Sequence, residues 1–444
     1  MNPAAIFIRS DLPDCAYVAH EPSKIIRGSS SDWPLLAQEL AAWQKPPSAN
    51  AAADATAPPH PAHPPGLAAG YFAYDGSFEF QFHPTYQITS LDALSELNPS
   101  KSAIPSLDAT EKAAISWHQH MSPEAYQTIV RRAQEYIRAG DIYQVNLALK
   151  RSLKAPSFDP LRFFRILWQR ARAPQSAFLS LTDRALISAS PELFLDIRPF
   201  AEFADTEAIS RQERGTSPER ISIRDGRSAN SNNENAQQMQ LCKRSIQDRT
   251  IRTQPIKGTR PRRTDPKEDQ KEADELEASV KERAELVMIT DLERNDLGKI
   301  CDYGTVRVPE LLKRVSFSHV HHLISTVEGR LRPNVTPLDA VRACFPGGSI
   351  TGAPKKRAME IIAELESEPR GFYTGAIGYF GFDGSARFNI AIRTCEYQYA
   401  TSTLAFFVGS GITILSSPEM EYEETCHKAR ALEEAYALYQ SIGS

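Results

Sequence analysis

The chain is 444 residues long and 41% hydrophobic, enough for a sizeable core in one large domain or two to three ordinary ones. Its formal net charge is −4 with both signs interspersed, which leaves no electrostatic reason to expect nucleic acid as a partner. The most apolar stretch, 404–415, is too short to span a bilayer and is broken by Gly409 and Gly411, so no membrane association is expected.

The opening MNPAAIFIRSDLPDC lacks the apolar segment of a secretory signal. Six cysteines are scattered at positions 15, 242, 301, 344, 395 and 426 with no CxxC, which suits reduced thiols and a cytoplasmic location. Residues 1–45 read as short strands and one helix over 33–43. Residues 46–66 are Pro/Ala-rich and low in complexity, a loop. Strand material resumes at 68–82 with a turn at Asp75-Gly76, and 98–110 is a polar connector. The expected division is an N-terminal region, 1–110, and a catalytic domain, 116–444.

Ser122-Pro123 opens a helix and Gly140 ends it. Residues 142–150 alternate as a strand, a helix follows over 160–172, 178–181 and 185–190 form a hairpin, and 191–197 is a further strand. Residues 200–252 are rich in Ser, Asn, Arg and Glu and read as a polar insertion with little core. A short strand into a tight turn is expected at 254–260, and a charged helix at 266–279. Residues 305–308, 316–322 and 325–327 read as strands. Helices are expected at 337–344 and 355–365. An antiparallel meander over 374–382, 387–397 and 404–408 precedes the last helix.

Within 281–298, KERAELVMITDLERNDLG, Leu286, Ile289 and Leu292 mark a helical stripe, and Glu282 and Glu285 share one face. Glu421 and Glu424 repeat that spacing in the last helix. Two such pairs meeting across a cleft could hold one hard cation. Spacing alone favours the plainer reading, two acidic and solvated helix faces. FPGGSITGAPK (345–355) is no phosphate loop, because Ala353 and Pro354 separate Gly352 from Lys355 and proline has no N–H to offer. It reads as a Gly-rich turn beside a cleft. In SHVHH (318–322), His319 and His321 share a strand face and His322 takes the other, which suits one cleft histidine better than a zinc cluster. Lys257, on an apolar strand before Gly258-Thr259, is a candidate nucleophile if desolvation leaves it neutral. Gly409-Ser410-Gly411 could offer amides to a carboxylate.

Taken together, GDIYQVNL (140–147), SPELF (190–194), PIKGTR (255–260), AELVMITDLERNDLG (284–298), FPGGSITGAPK (345–355), GAIGYF (375–380), NIAIRT (389–394) and EYEETCHKARAL (421–432) resemble the chorismate-utilising enzymes. These include anthranilate synthase component I, aminodeoxychorismate synthase component I and the isochorismate and salicylate synthases. The resemblance covers nearly all of 116–440, with GYFAYD (70–75) a looser match.

It implies an α+β fold of two roughly orthogonal antiparallel β-sheets flanked by helices, with the active site in the cleft between them. It implies chorismate bound through Mg2+, with Glu282, Glu285, Glu421 and Glu424 in metal roles and Glu285 and Glu424 favoured as direct ligands. Arg393, Tyr379, Lys428 and the amides around Ser410 and Gly411 would hold the substrate carboxylates. His322 would sit beside the ring, Gly258 and Thr259 near the departing hydroxyl, and Glu192 would be the general acid. Gln144 stands where water-adding members carry a lysine base, which argues against isochorismate or salicylate synthesis. Lysine in PIKGT, against PIAGT in anthranilate synthases, marks the branch that makes 4-amino-4-deoxychorismate for 4-aminobenzoate and folate. In that branch Lys257 attacks ring C2 and ammonia enters at C4.

No glutaminase signature is present, so ammonia from a separate glutamine amidotransferase subunit is expected. The rivals are anthranilate synthase component I and a non-catalytic chorismate-binding regulatory protein. The segment between SPELF and PIKGT is longer than the family's. DCAYVAHE replaces an LLES-like signature, so no tryptophan pocket carries over.

Overall fold

The computed structural model describes residues 2–9, 15–44, 64–91, 94, 115–199, 249–317 and 320–443. The connector at 98–110, nearly all of the Pro/Ala-rich loop and all but the last residues of the polar insertion lie outside them.

Eight α-helices are described: α1 (Trp33–Trp43), α2 (Pro123–Ala139), α3 (Pro160–Ala171), α4 (Pro266–Ala278), α5 (Val280–Gly298), α6 (Pro337–Cys344), α7 (Lys355–Leu365) and α8 (Pro418–Gly443). Local chemistry sets their ends. The Ser122 side chain accepts from the Ala125 N–H, and Gly140 closes α2 in the left-handed conformation. Asp159 and Asp265 cap α3 and α4, and Ser279 caps α5. Thr336 and Asp339 form a capping box on α6.

The strands form two antiparallel sheets, so the fold is α+β. The first runs Gly352–Ala353, Gln144–Lys154, Thr403–Ile412, Thr394–Gln398, Arg184–Ser190, Gln175–Ser180, Ala5–Arg9, Cys15–Ala19 and Gln87–Ser90, with His118–Gln119 beside Gln144–Lys154. The second runs Ile256–Pro261, Val320–Arg330, Arg249–Gln254, Leu193–Pro199, Ala386–Ile390, Ala376–Gly381, Leu67–Phe72, Phe78–His83 and Lys24–Gly28, with Arg307–Ser316 beside Val320–Arg330. Strands from before residue 116 extend both sheets: Ala5 pairs with Leu179, and Gly70 with Gly378.

Three layers of core follow. Tyr126, Phe163, Phe164, Leu432 and Tyr436 of α2, α3 and α8 pack on Val145, Leu147 and Phe406 of the first sheet. Trp33, Leu36, Leu338 and Val341 of α1 and α6 pack on Phe72, Phe80 and Phe388 of the second. Between the sheets, Phe7, Tyr17, Leu179 and Phe407 meet Leu67, Ala69, Ile377 and Tyr379. Each large side chain so buried contributes roughly 1.5–3 kcal/mol. Gln144–Lys154 is therefore buried on both faces over its first half, and its sequence alternation does not mark one wet side.

Three expectations change. The 387–397 strand is two strands in different sheets: Ala386–Ile390 lies in the second, Thr394–Gln398 in the first, and the chain crosses at residues 391–393 with Arg393 at φ 51°. The meander thus becomes a bridge between sheets. The three short strands over 305–327 are one long hairpin, Arg307–Ser316 with Val320–Arg330. Residues 249–252, assigned to the insertion, are ladder-paired on both sides, with Leu193–Pro199 and Val320–Arg330.

Candidate active site

A cavity of about 710 Å³ is lined by both sheets, α5 and α8. The wall from Ile256–Pro261 carries a β-bulge: register with Val320–Arg330 shifts between Lys257 and Thr259. Gly258 occupies the bulge at φ 72°, where a Cβ would lie 2.6 Å from Leu276 Cδ1 and 3.1 Å from the Glu282 carboxylate. Only glycine fits this bend. The bulge lets Lys257 and Thr259 both line the cavity. Lys257 Nζ donates to the Ser349 carbonyl at 3.3 Å, so the Gly-rich turn is the facing wall.

Glu192 stands just before the strand Leu193–Pro199 and is 4% exposed. Burial lifts its carboxyl from 4.5 to about 6, against the opposing charges of Lys257 and Lys428. His322 Nδ1 lies 3.0 Å from the Gly258 carbonyl and 3.2 Å from Thr259 Oγ1. The carbonyl only accepts, so Nδ1 carries the proton and Nε2 is the bare acceptor. Burial lowers this imidazole to about 4, keeping it neutral. His321 points the other way, to Asp269 Oδ1 at 3.0 Å and Ser316 Oγ at 2.8 Å. Ser318 and His319 lie outside the described residues.

Arg393 reaches the cavity from the crossover between the sheets, and burial lowers its guanidinium. Gly409 and Gly411 lie opposite, where a Cβ on Gly409 would come 2.5 Å from the Leu147 carbonyl and 2.9 Å from Tyr373 Oη.

Glu282 and Glu285 on α5 and Glu424 on α8 line the cavity, and Glu421 on α8 is joined to Glu285 through Lys281. Glu282 accepts from Arg260 Nη1 at 2.9 Å. Glu424 Oε1 meets Lys428 Nζ at 2.6 Å. Lys281 Nζ lies 3.2 Å from Glu421 Oε1 and 3.9 Å from Glu285 Oε1. Burial raises Glu285, with Glu424 and Glu421 adding to the effect against Lys257 and Lys281. Burial also acts on Glu424, but Lys428 outweighs it and holds that carboxyl low. Glu282 Oε2, Glu285 Oε1 and Glu421 Oε2 are buried with no hydrogen-bond partner among the described residues. Acidic helix faces in solvent would not look like this. Oxygen donors of this kind suit a hard cation. Still, no three His, Cys, Asp or Glu side chains are grouped as a ready ligand set among the described residues.

Of the residues singled out in the sequence, Glu192, Lys257, Gly258, Thr259, Glu282, Glu285, His322, Arg393, Gly411, Glu424 and Lys428 line the cavity. Tyr379 does not: it accepts from Arg9 Nη1 at 2.7 Å in the core between the sheets, because its strand presents that face to Phe7 and Tyr17. Gln144 and Ser410 are buried behind the wall; Ser410 Oγ lies 3.0 Å from Tyr126 Oη, and Gln144 Nε2 packs against Gly411. Glu421 is one step back, tied to Ser416 Oγ at 2.6 Å.

Sequence reading missed Lys281, Tyr373, Ser349 and Asn146, all on the cavity wall. Lys281 stands i−4 to Glu285, a spacing that signals an ion pair. Asn146 and Ser349 lie within GDIYQVNL and FPGGSITGAPK without having been singled out, and Tyr373 carries no local signal. Lys355 is structural, bonding Asp296 Oδ2 at 2.5 Å and the Cys344 carbonyl at 2.8 Å.

The family model of chorismate binding enzymes matches residues 81–220 and 241–434. The aminodeoxychorismate synthase component 1 of Bacillus subtilis (strain 168) is 36% identical over 337 residues, 76% of this chain and 60% of that one. The anthranilate synthase component 1 of Streptomyces coelicolor is 39% identical over 337 residues, 75% of this chain and 55% of that one. The chain thus spans 55–60% of the length of these curated relatives. The solved anthranilate synthase component I of Streptococcus pneumoniae TIGR4 shares the fold, with a TM-score of 0.67 at 24% identity over 95% of this chain and 92% of that one. With a cavity joining the two sheets and a family match over most of its length, the chain belongs to the chorismate binding enzyme family.

Proposed function

We propose that the protein aminates chorismate to 4-amino-4-deoxychorismate, as the chorismate-using component of an aminodeoxychorismate synthase. The observation that carries this reading is Lys257, a primary amine on the cavity wall in the PIKGT motif. The neutral amine attacks ring C2, both ring double bonds move round by one position, and the C4–O bond breaks. The departing hydroxide takes the Glu192 proton and leaves as water. Ammonia then attacks C4, both double bonds move back, and the C2–N bond breaks to free the lysine. The surplus proton on the new amine returns to Glu192. A carboxyl lifted to about 6 by burial can both give and take that proton near neutrality.

Arg393 offers a planar fork to a substrate carboxylate. Neutral His322 and Thr259 line the ring side of the cavity. Glu282, Glu285, Glu421 and Glu424 would hold magnesium, with Glu285 and Glu424 nearest to direct ligation. The orphaned oxygens and all-oxygen chemistry fit such an ion, and magnesium needs few protein ligands because it keeps waters and substrate oxygens. When bound, it supplies positive charge against the substrate's carboxylates.

The ammonia would come from a separate glutaminase subunit. The relatives' "component 1" names support this.

The test is incubation with chorismate, magnesium and ammonium, followed by product identification. The 4-amino product supports the reading. Anthranilate as sole product would favour the second reading, anthranilate synthase component I, which relatives so named support at similar identity. No consumption of chorismate would favour a binding protein. Lys257→Ala is expected to lose most 4-amino product and gain some 2-amino product. Near wild-type formation of the 4-amino product by that variant would refute the covalent step.

A further inference from the structure

We propose that Lys281 is a tethered counter-ion: its ammonium holds the place of a divalent cation among Glu421, Glu285 and Glu424 and swings out when that cation binds. This rests on reading the four acids as a cation site.

The carboxylates do not share one counter-charge. Arg260 holds Glu282 and also donates to the Thr259 carbonyl at 3.0 Å. Lys428 holds Glu424 and also donates to the Gly409 carbonyl at 2.8 Å. Each of these cations keeps a second acceptor if its carboxylate turns away. Lys281 differs: among the described residues its partners are carboxylates alone, Glu421 at 3.2 Å and Glu285 at 3.9 Å, with Glu424 acting on it at longer range.

The partners are also unequal in exposure. Glu421 is 3% exposed and its Oε2 has no partner, while the Lys281 side chain is 44% exposed. A buried carboxylate on a helix cannot leave, whereas a half-exposed lysine on the first turn of α5 can return to water at little cost. Glu424 keeps Lys428 as its own partner, so the carboxylates that Lys281 bridges are Glu421 and Glu285. In the free protein the mobile Lys281 ammonium lies between these two. It also sets how tightly a divalent cation is held, because the ion must displace it.

Two measurements on the full chain test this. Mn2+ binding is followed by the loss of its free spin signal. Acetylation of Lys281 by an amine-reactive ester is followed by mass spectrometry with and without Mg2+. Lys281→Met is expected to bind Mn2+ several-fold more tightly than wild type, and wild-type Lys281 is expected to react faster when Mg2+ saturates. If the wild type binds Mn2+ but Lys281→Met binds it no better, the proposal is wrong and the cation site stands. The same holds if Lys281 reactivity does not rise on Mg2+ binding. If the wild type binds neither ion, with or without chorismate, the cation site itself fails and the proposal with it. Should Lys281→Met fold poorly, Lys281→Gln and the wild-type labelling decide.

Discussion

Burial gives Glu192 both its chemistry and its cost. Its folded carboxyl titrates near 6 against 4.5 for the free group. Stability from this group is fully present below the unfolded value and is lost as pH rises through the folded one. Above about pH 7 the ionised buried carboxylate costs about 2 kcal/mol. Glu192→Gln stays neutral and escapes that cost. It is expected to lose about 10²–10⁴ in turnover and yet to be more stable than wild type at pH 8, the gap closing towards pH 4. Urea unfolding at the two pH values checks this, and a variant less stable at pH 8 would contradict it.

At the level of elements, the site depends on one bulge and one buried ion pair. Gly258→Ala would force a left-handed alanine into Leu276 and the Glu282 carboxylate. A loss of about 1–3 kcal/mol is expected, with substrate binding weakened because Lys257 and Thr259 are re-aimed. Thermal unfolding and a chorismate titration would show both. Helix α5 is tied to the Gly-rich turn and α7 by Asp296 with Lys355. Beside this pair, Glu293 is buried and raised well above its usual range, with Thr253 Oγ1 donating to it at 2.8 Å. Lys355→Met would leave Asp296, among the described residues, with only the more exposed Lys299, at 2.8 Å. A cost of about 3 kcal/mol is expected, partly recovered in the double variant with Asp296→Asn; no recovery would show that the pair is not the cause.

Across the whole molecule, the sheets decide which segments are dispensable. Pro199 and Arg249 face each other in the ladder, so the ends of the 200–248 segment are already adjacent. Replacing 200–248 with a short Gly/Ser turn should leave the thermal midpoint within a few degrees, and loss of cooperative unfolding would show that the segment carries core contacts. Removing residues 1–20 should do the opposite. It strips two strands from the first sheet, takes Phe7 and Tyr17 out of the core between the sheets, and removes the Arg9 partner of Tyr379. That truncation should abolish cooperative unfolding by circular dichroism.

The sequence by itself determined most helices, since caps and glycines act within a few residues: α1, α6 and α7 follow the expected bounds, and α2 runs from Pro123 to the residue before Gly140. It also marked most of the cavity wall, through motifs whose residues lie close together in the chain. It could not assign strands to sheets. Residues 387–397 read as one strand because both halves alternate alike; only packing against two partners divides them and turns Arg393 into the cleft. Tyr379 was misplaced for the same reason, since side-chain period says that a face is buried but not what buries it. The burial of Glu293 and Asp296 on α5 likewise has no local sign, because a helix learns which face is inside from the turn and strands that cover it. Those contacts join residues far apart in sequence, and only the tertiary structure fixes them.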